Sequence, residues 1–254
     1  MGFVVALEFL TRIRLRRTPL TGMHEVAGTQ AWFPAIGLLI GGALLAFDRL
    51  ATRALPETTV DVLLVIALAA ITGGLHLDGL ADAADGLFGG RDPEQRLAIM
   101  RDVHAGTYAV IAIASVLAMK WAGLAALPRD VRFETLLIVP CLARFAMVVA
   151  AAAFPYARAE GIGVAFHERA WPAATLAGGA IASIAAVALL GASGLFAVAF
   201  AAGCALAIGA YARRMVGGMT GDLYGATAEI TEALLFLFIA ALAGRGWIHP
   251  WLLG

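Results

Sequence analysis

Residues 73–106 read GGLHLDGLADAADGLFGGRDPEQRLAIMRDVHAG. This stretch carries Asp78, Asp82, Asp85, Asp92, Glu94 and Asp102, and it lies between the apolar runs VLLVIALAAI (62–71) and YAVIAIASVLAM (108–119). Acids beside membrane-grade sequence are expensive to keep without a neutralising partner. Asp78, Asp82 and Asp85 stand at i, i+4 and i+7, within roughly 60° of one another on a helix. Three carboxylates on one stripe repel each other unless a cation bridges them, and hard oxygen donors suit Mg²⁺ or Mn²⁺. Asp78, Asp82 and Asp85 are therefore the expected metal ligands. Six glycines (73, 74, 79, 86, 89 and 90) lower helix propensity here and let a large substrate approach the backbone. Arg91, Arg96 and Arg101 follow, with a guanidinium geometry that matches phosphate oxygens.

Working outward, composition sets the class. The chain has 254 residues, 61% hydrophobic and only 14% charged, with a mean hydropathy of +0.87. A soluble domain is about 25% charged. The expectation is an all-α, polytopic transmembrane helical bundle in the lipid bilayer, forming one integral-membrane catalytic domain over 1–254. Formal net charge is zero, which gives no electrostatic footprint for nucleic acid. Cys141 and Cys204 lie inside apolar runs and read as small core residues.

Seven spans are expected, at roughly 31–50, 60–77, 107–127, 134–154, 173–192, 194–212 and 230–248. Between the fifth and sixth, only 191–194 separate two apolar runs, which predicts a tight helical hairpin. Residues 1–11 are too short to span. Phe3, Leu7 and Leu10 repeat at helical spacing there, so an amphipathic interfacial helix is expected. Placing the N-terminus inside puts eleven arginines in inner segments against five in outer ones, favouring N-in, C-out. With seven spans, segments 78–106, 155–172 and 213–229 then share the cytoplasmic side of a bacterial inner membrane.

Further polar residues follow. Arg144 sits mid-span in VPCLARFAMVV, where an arginine needs an anion or water beside it. That anion is either an acid of the bundle or a substrate phosphate. YARAEGIG (156–163) supplies Arg158 and Glu160 on a pliable loop; His167, Glu168 and Arg169 look solvated. GGMTGDLYGATAEITE (217–232) places Asp222 and Glu229 seven apart, on a shared helix face that Gly221 and Gly225 are expected to interrupt. Thr220 or Asp222 alternatively caps a helix start. His76 lies opposite the Asp78 stripe, as a substrate contact or a support behind the ligands. No HExxH, Walker A or GxSxG pattern occurs.

The aspartate-rich stretch, with MRDVHAGTYAV after it, resembles the signature of the cobalamin synthase family, the membrane adenosylcobinamide-GDP ribazoletransferases. FLTRI (9–13), FPAIGLLIGG (33–42), YARAEGIG and GGMTGDLYGATAEITE resemble family segments in the same order. Arg14, Arg16 and Arg17 replace the family's proline-rich tail, and Arg101 and His104 stand where the family often reads MKDSRIG.

The resemblance implies that α-ribazole, or its 5′-phosphate, attacks adenosylcobinamide-GDP and releases GMP, with Mg²⁺ as cofactor. It implies Asp82 and Asp85 as catalytic acids and Asp102 as acceptor of the hydroxyl proton. Substrate contacts are expected from His76, Arg91, Arg101, His104, Arg144, Arg158, Asp222 and Glu229, with Arg144 on a substrate phosphate. A homo-oligomer is compatible with the sequence. Two alternatives stay open. DGLADAADG partly resembles the core of CDP-alcohol phosphotransferases, although Gly89-Gly90-Arg91 replaces their Ala-Arg and the downstream acidic element is missing. A transporter is the other, although obvious inverted repeats are absent and the acids gather away from the midplane.

Overall fold

The computed structural model describes residues 2–16, 28–158 and 172–248. Arg17, His24, Glu160 to Gly163, His167 to Arg169 and His249 lie outside the described residues. Among the described residues the chain is helical with no strand. The order is α1 (Gly2–Leu10), a 3₁₀ turn (Gln30–Trp32), α2 (Phe33–Ala51), α3 (Glu57–Thr72), α4 (Leu75–Gly89), α5 (Pro93–Ile99) and α6 (Thr107–Ala125). It continues with α7 (Arg129–Ala153), α8 (Pro172–Leu190), α9 (Ser193–Val216) and α10 (Gly221–Ala243).

Six helices are long and apolar enough to cross a membrane: α2 with its 3₁₀ turn, α6, α7, α8, α9 and α10. The pair α3 and α4 passes the same test together, but is bent by 90°. The seven-span expectation holds in that sense. Its second span is broken at Gly73 and Gly74, whose φ angles of +65° and +74° lie in the left-handed region that side chains avoid. The bend turns the acidic stripe across the bundle. The α8–α9 hairpin forms as expected, with Gly191 at φ +63°.

Burial sorts the helices. In α7 and α10, 78% and 67% of the apolar window is inside the protein, against 28% for α6, α8 and α9. The pair α7 and α10 is therefore the centre, and the outer helices turn Ile66, Ile111, Ile184 and Phe196 outward, as lipid-facing surfaces do. Close backbone approach builds this centre. A Cβ on Gly37 would sit 2.4 Å from the Pro140 carbonyl oxygen, and one on Gly41 2.6 Å from that of Leu136, so α2 lies directly on α7 through a GxxxG pair.

The amphipathic N-terminal helix forms as expected: α1 buries Leu7 and Leu10 against the protein, with Phe3 edge-on to Trp32 at 5.6 Å. Three expectations are corrected here. The last span begins at Gly221, not near 230, because Thr220 caps it: its Oγ1 accepts from the Leu223 N–H at 3.2 Å. Gly221 and Gly225 do not interrupt the helix. Helix α7 likewise starts at Arg129, five residues before the expected span.

Candidate active site

Helix α4 is continuous, so Asp78, Asp82 and Asp85 do share a stripe. The stripe runs from outside to inside: Asp78 is exposed, Asp82 half-buried, and Asp85 only 8% exposed. α4 crosses the first turns of α10 at two glycines. A Cβ on Gly79 would meet the Asp222 carbonyl oxygen at 2.9 Å, and one on Gly225 would meet that of His76 at 3.1 Å. This crossing brings Asp222 beside the stripe. The negative charges of Asp78, Asp222 and Asp85 all bear on the Asp82 carboxyl, offset by Arg158. Arg158 itself donates from Nη2 to Asp222 Oδ2 at 2.9 Å.

The three motif-bearing segments meet at this end of the bundle. Ala157 N–H donates to Met219 O and Met219 N–H to Pro155 O, both at 2.8 Å, tying the segment after α7 to the turn before α10. Arg96 Nη1 donates to Met215 O at 3.1 Å, which ties α5 to the end of α9. Asp92 caps α5 by accepting from the Gln95 N–H at 2.8 Å.

Asp85 departs from its expected role. Its Oδ2 accepts from the Gly106 N–H at 2.5 Å and its Oδ1 from the Ala109 N–H at 2.9 Å. It therefore holds the start of α6, satisfying amides that a helix leaves unpaired. The expected Asp78–Asp82–Asp85 metal triad is not assembled, and no group of three His, Cys, Asp or Glu among the described residues has ligand geometry. The donor chemistry still suits a hard cation. Asp78 and Asp82 have no hydrogen-bond partner on their carboxylates among the described residues, and Asp222 adds a third carboxylate from another helix.

Asp102 and His104 sit exposed on the loop before α6, with Asp102 Oδ1 2.6 Å from His104 Nδ1. The His104 hydrogen bonds hold the Asp102 carboxyl below the usual range, which weakens it as a proton acceptor. Arg91 and Arg101 are exposed. Three of the glycines serve packing: Gly79 seats α10, Gly86 packs on Met100, and Gly90 packs on Arg96, while Gly74 meets nothing within 4 Å.

Two substrate contacts are corrected. Arg144 is 1% exposed, and its Nη1 donates to Glu232 Oε1. Glu229 is 3% exposed and bonded to Lys120 Nζ at 2.6 Å, while the same Nζ reaches Glu232 Oε2 at 2.5 Å. Lys120, Arg144, Glu229 and Glu232 thus form a closed, charge-balanced network at the bundle centre. The sequence signal was available: two cations lie mid-span, and two acids stand three apart. Glu229 falls just outside a last span that begins near 230 but well inside one that begins at Gly221. His76 borders this network, with Nδ1 3.5 Å from Arg144 Nη2.

Beside the acid cluster lies a cavity of about 140 Å³. Phe9, Phe33, Met147 and Ala151 form apolar walls, His76 lines it, and Asp78 and Asp222 stand in its lining as the charged groups.

The profile of the family described as cobalamin-5-phosphate synthase matches residues 2–240. The chain belongs to that family. Curated relatives match over most of the chain. A protein of Syntrophobacter fumaroxidans, named adenosylcobinamide-GDP ribazoletransferase, is 40% identical over 94% of this chain and 98% of its own. Proteins with the same name from Desulfitobacterium hafniense and Geotalea daltonii are 37% and 34% identical, over 92% and 96% of this chain and 94% and 98% of theirs. No solved structure matches.

Proposed function

We propose that this protein transfers α-ribazole, or its 5′-phosphate, onto adenosylcobinamide-GDP, forming adenosylcobalamin or its 5′-phosphate and releasing GMP. The ribazole 3′-hydroxyl oxygen bonds to the phosphorus that carries cobinamide. The bond from that phosphorus to the bridging oxygen breaks, and GMP leaves with that oxygen. The hydroxyl proton passes to a carboxylate.

The observation that carries this reading is the meeting of Asp78, Asp82 and Asp222 with Arg158 at one end of the bundle, in a chain matched to the family from residue 2 to 240. Phosphoryl transfer needs alignment and charge neutralisation more than a protein nucleophile. Asp78 and Asp82, with Asp222 beside them, are the residues that would hold Mg²⁺. Bound there, the ion would neutralise pyrophosphate oxygens as charge develops. Asp102 is a poor proton acceptor, because its hydrogen bonds with His104 favour the ionised carboxylate, so a carboxylate of the cluster not engaged by the metal would take that role. Arg158 is positioned to release Asp222 and bind a phosphate oxygen. Arg91 and Arg101 are free at the surface to receive the outer phosphate.

The same reading places the site on the cytoplasmic face of the inner membrane, N-in and C-out, where guanosine nucleotides are available. Purified protein given adenosylcobinamide-GDP and α-ribazole 5′-phosphate should release GMP in step with corrinoid product. Absence of both would remove the assignment.

A further inference from the structure

His76 presents a problem that the reaction does not solve. Its ring is 2% exposed and lines the 140 Å³ cavity. Nδ1 faces Arg144 Nη2 at 3.5 Å, and a guanidinium can only donate. Nδ1 is therefore the acceptor, and in the neutral ring the proton sits on Nε2. An imidazolium would face like charge. Nε2 has no hydrogen-bond partner among the described residues. A buried N–H without an acceptor leaves its desolvation penalty uncompensated. No acceptor for it is present among the described residues, although Gln30 and Tyr224 also stand in the cavity lining.

The cavity's dimensions and chemistry restrict what can supply it. An apolar cavity of about 150 Å³ accepts a molecule the size of benzene. A corrinoid is far too large for this one. Guanine carries donors and acceptors around its edge, and in a lining that is apolar apart from Gln30, His76, Asp78, Asp222 and Tyr224 several of them would stay unpaired. A benzimidazole-type base differs. Its face and carbocyclic edge are apolar, one nitrogen carries the ribose, and the other is a single sp² acceptor.

We propose that this cavity holds the heterocyclic base of the ribazole substrate, with the His76 Nε2–H donating to the base's unsubstituted ring nitrogen. This assignment rests on the reaction proposed above. It gives the acceptor substrate a fixed direction. With the base among the apolar walls, the ribose emerges past Asp78 and Asp222, which brings its hydroxyls to the acid cluster. Arg144 then acts as a positioning residue: by donating to Nδ1 it keeps the proton on Nε2. The site selects bases with an acceptor at that position, because a base without one leaves the N–H unpaired.

The test uses the full-length protein in detergent at saturating adenosylcobinamide-GDP. GMP release is compared for α-ribazole 5′-phosphate and for the analogue in which an indole carbon replaces the acceptor nitrogen. The wild-type protein should lose about tenfold or more in kcat/KM on the indole analogue. His76→Phe should turn over both substrates at similar, reduced kcat/KM. Ala151→Leu, which fills the cavity from α7, should raise KM for α-ribazole 5′-phosphate with little change in KM for adenosylcobinamide-GDP. Equal use of the two substrates by wild type, a preference that survives in His76→Phe, or a KM shift confined to the corrinoid substrate would each overturn the assignment. If His76→Phe does not fold, the wild-type comparison and Ala151→Leu still decide it. Absence of GMP release from wild type with either substrate removes the reaction itself, and the assignment with it.

Discussion

Arg144 on α7 and Glu232 on α10 form an ion pair in which both side chains are 1% exposed. Lys120 on α6 bonds the other carboxylate oxygen of Glu232 and also Glu229, so three helices are joined through four charges of zero net sum. Removing one member leaves its partner charged and buried. Arg144→Met should therefore cost about 3–5 kcal/mol. The double variant Arg144→Met with Glu232→Gln leaves the Lys120–Glu229 pair intact and should recover most of that loss. Thermal unfolding in detergent reads both. A single variant as stable as wild type would return Arg144 to a substrate-facing role.

Asp82 stands among Asp78, Asp85 and Asp222 without a hydrogen-bond partner among the described residues. Asp82→Asn removes one charge at nearly constant volume and should abolish GMP release while the detergent elution profile stays unchanged. Excess EDTA should likewise stop turnover, and Mg²⁺ should restore it. Near-normal rates in either case would make the acids structural.

Asp85 has a different signature, because both oxygens hold backbone amides at the start of α6. Asp85→Ala should lower stability by about 1–2 kcal/mol, as for loss of a helix cap. Asp85→Asn keeps one acceptor oxygen and should fall between. An Asp85→Ala protein that melts with wild type but releases no GMP would mark Asp85 as part of the chemistry instead.

The α4–α10 crossing is tight at Gly79, where an added methyl would press on the Asp222 backbone. Gly79→Ala should cost about 1–3 kcal/mol as overpacking does. It should also lower kcat/KM by pushing Asp222 from Asp78. Gly42, which meets nothing within 4 Å, is the control: Gly42→Ala should leave activity unchanged.

Reporter fusions test the orientation. A reporter within 92–98 should read cytoplasmic and one after Gly254 should read external. A periplasmic 92–98 would contradict the proposed site, since its nucleotide substrate is cytoplasmic.

The sequence alone determined that this chain is a helical membrane protein, because span length and apolar composition answer to bilayer thickness, which is a local requirement. It also determined the Asp78–Asp82–Asp85 stripe, since helical periodicity places side chains from spacing alone. Tertiary structure decided which charges are partners. Asp85 looked equivalent to Asp78 until the start of α6 came to rest against it, and Asp222 joined the cluster because two glycines let α4 cross α10. Arg144 was isolated along the chain, yet its anion sits 88 residues away on α10. A lone buried charge shows in sequence only that it needs a counter-charge. Which acid supplies it depends on which helices pack, and that is set by close-fitting surfaces such as Gly37 and Gly41 against α7, not by any periodicity within one helix.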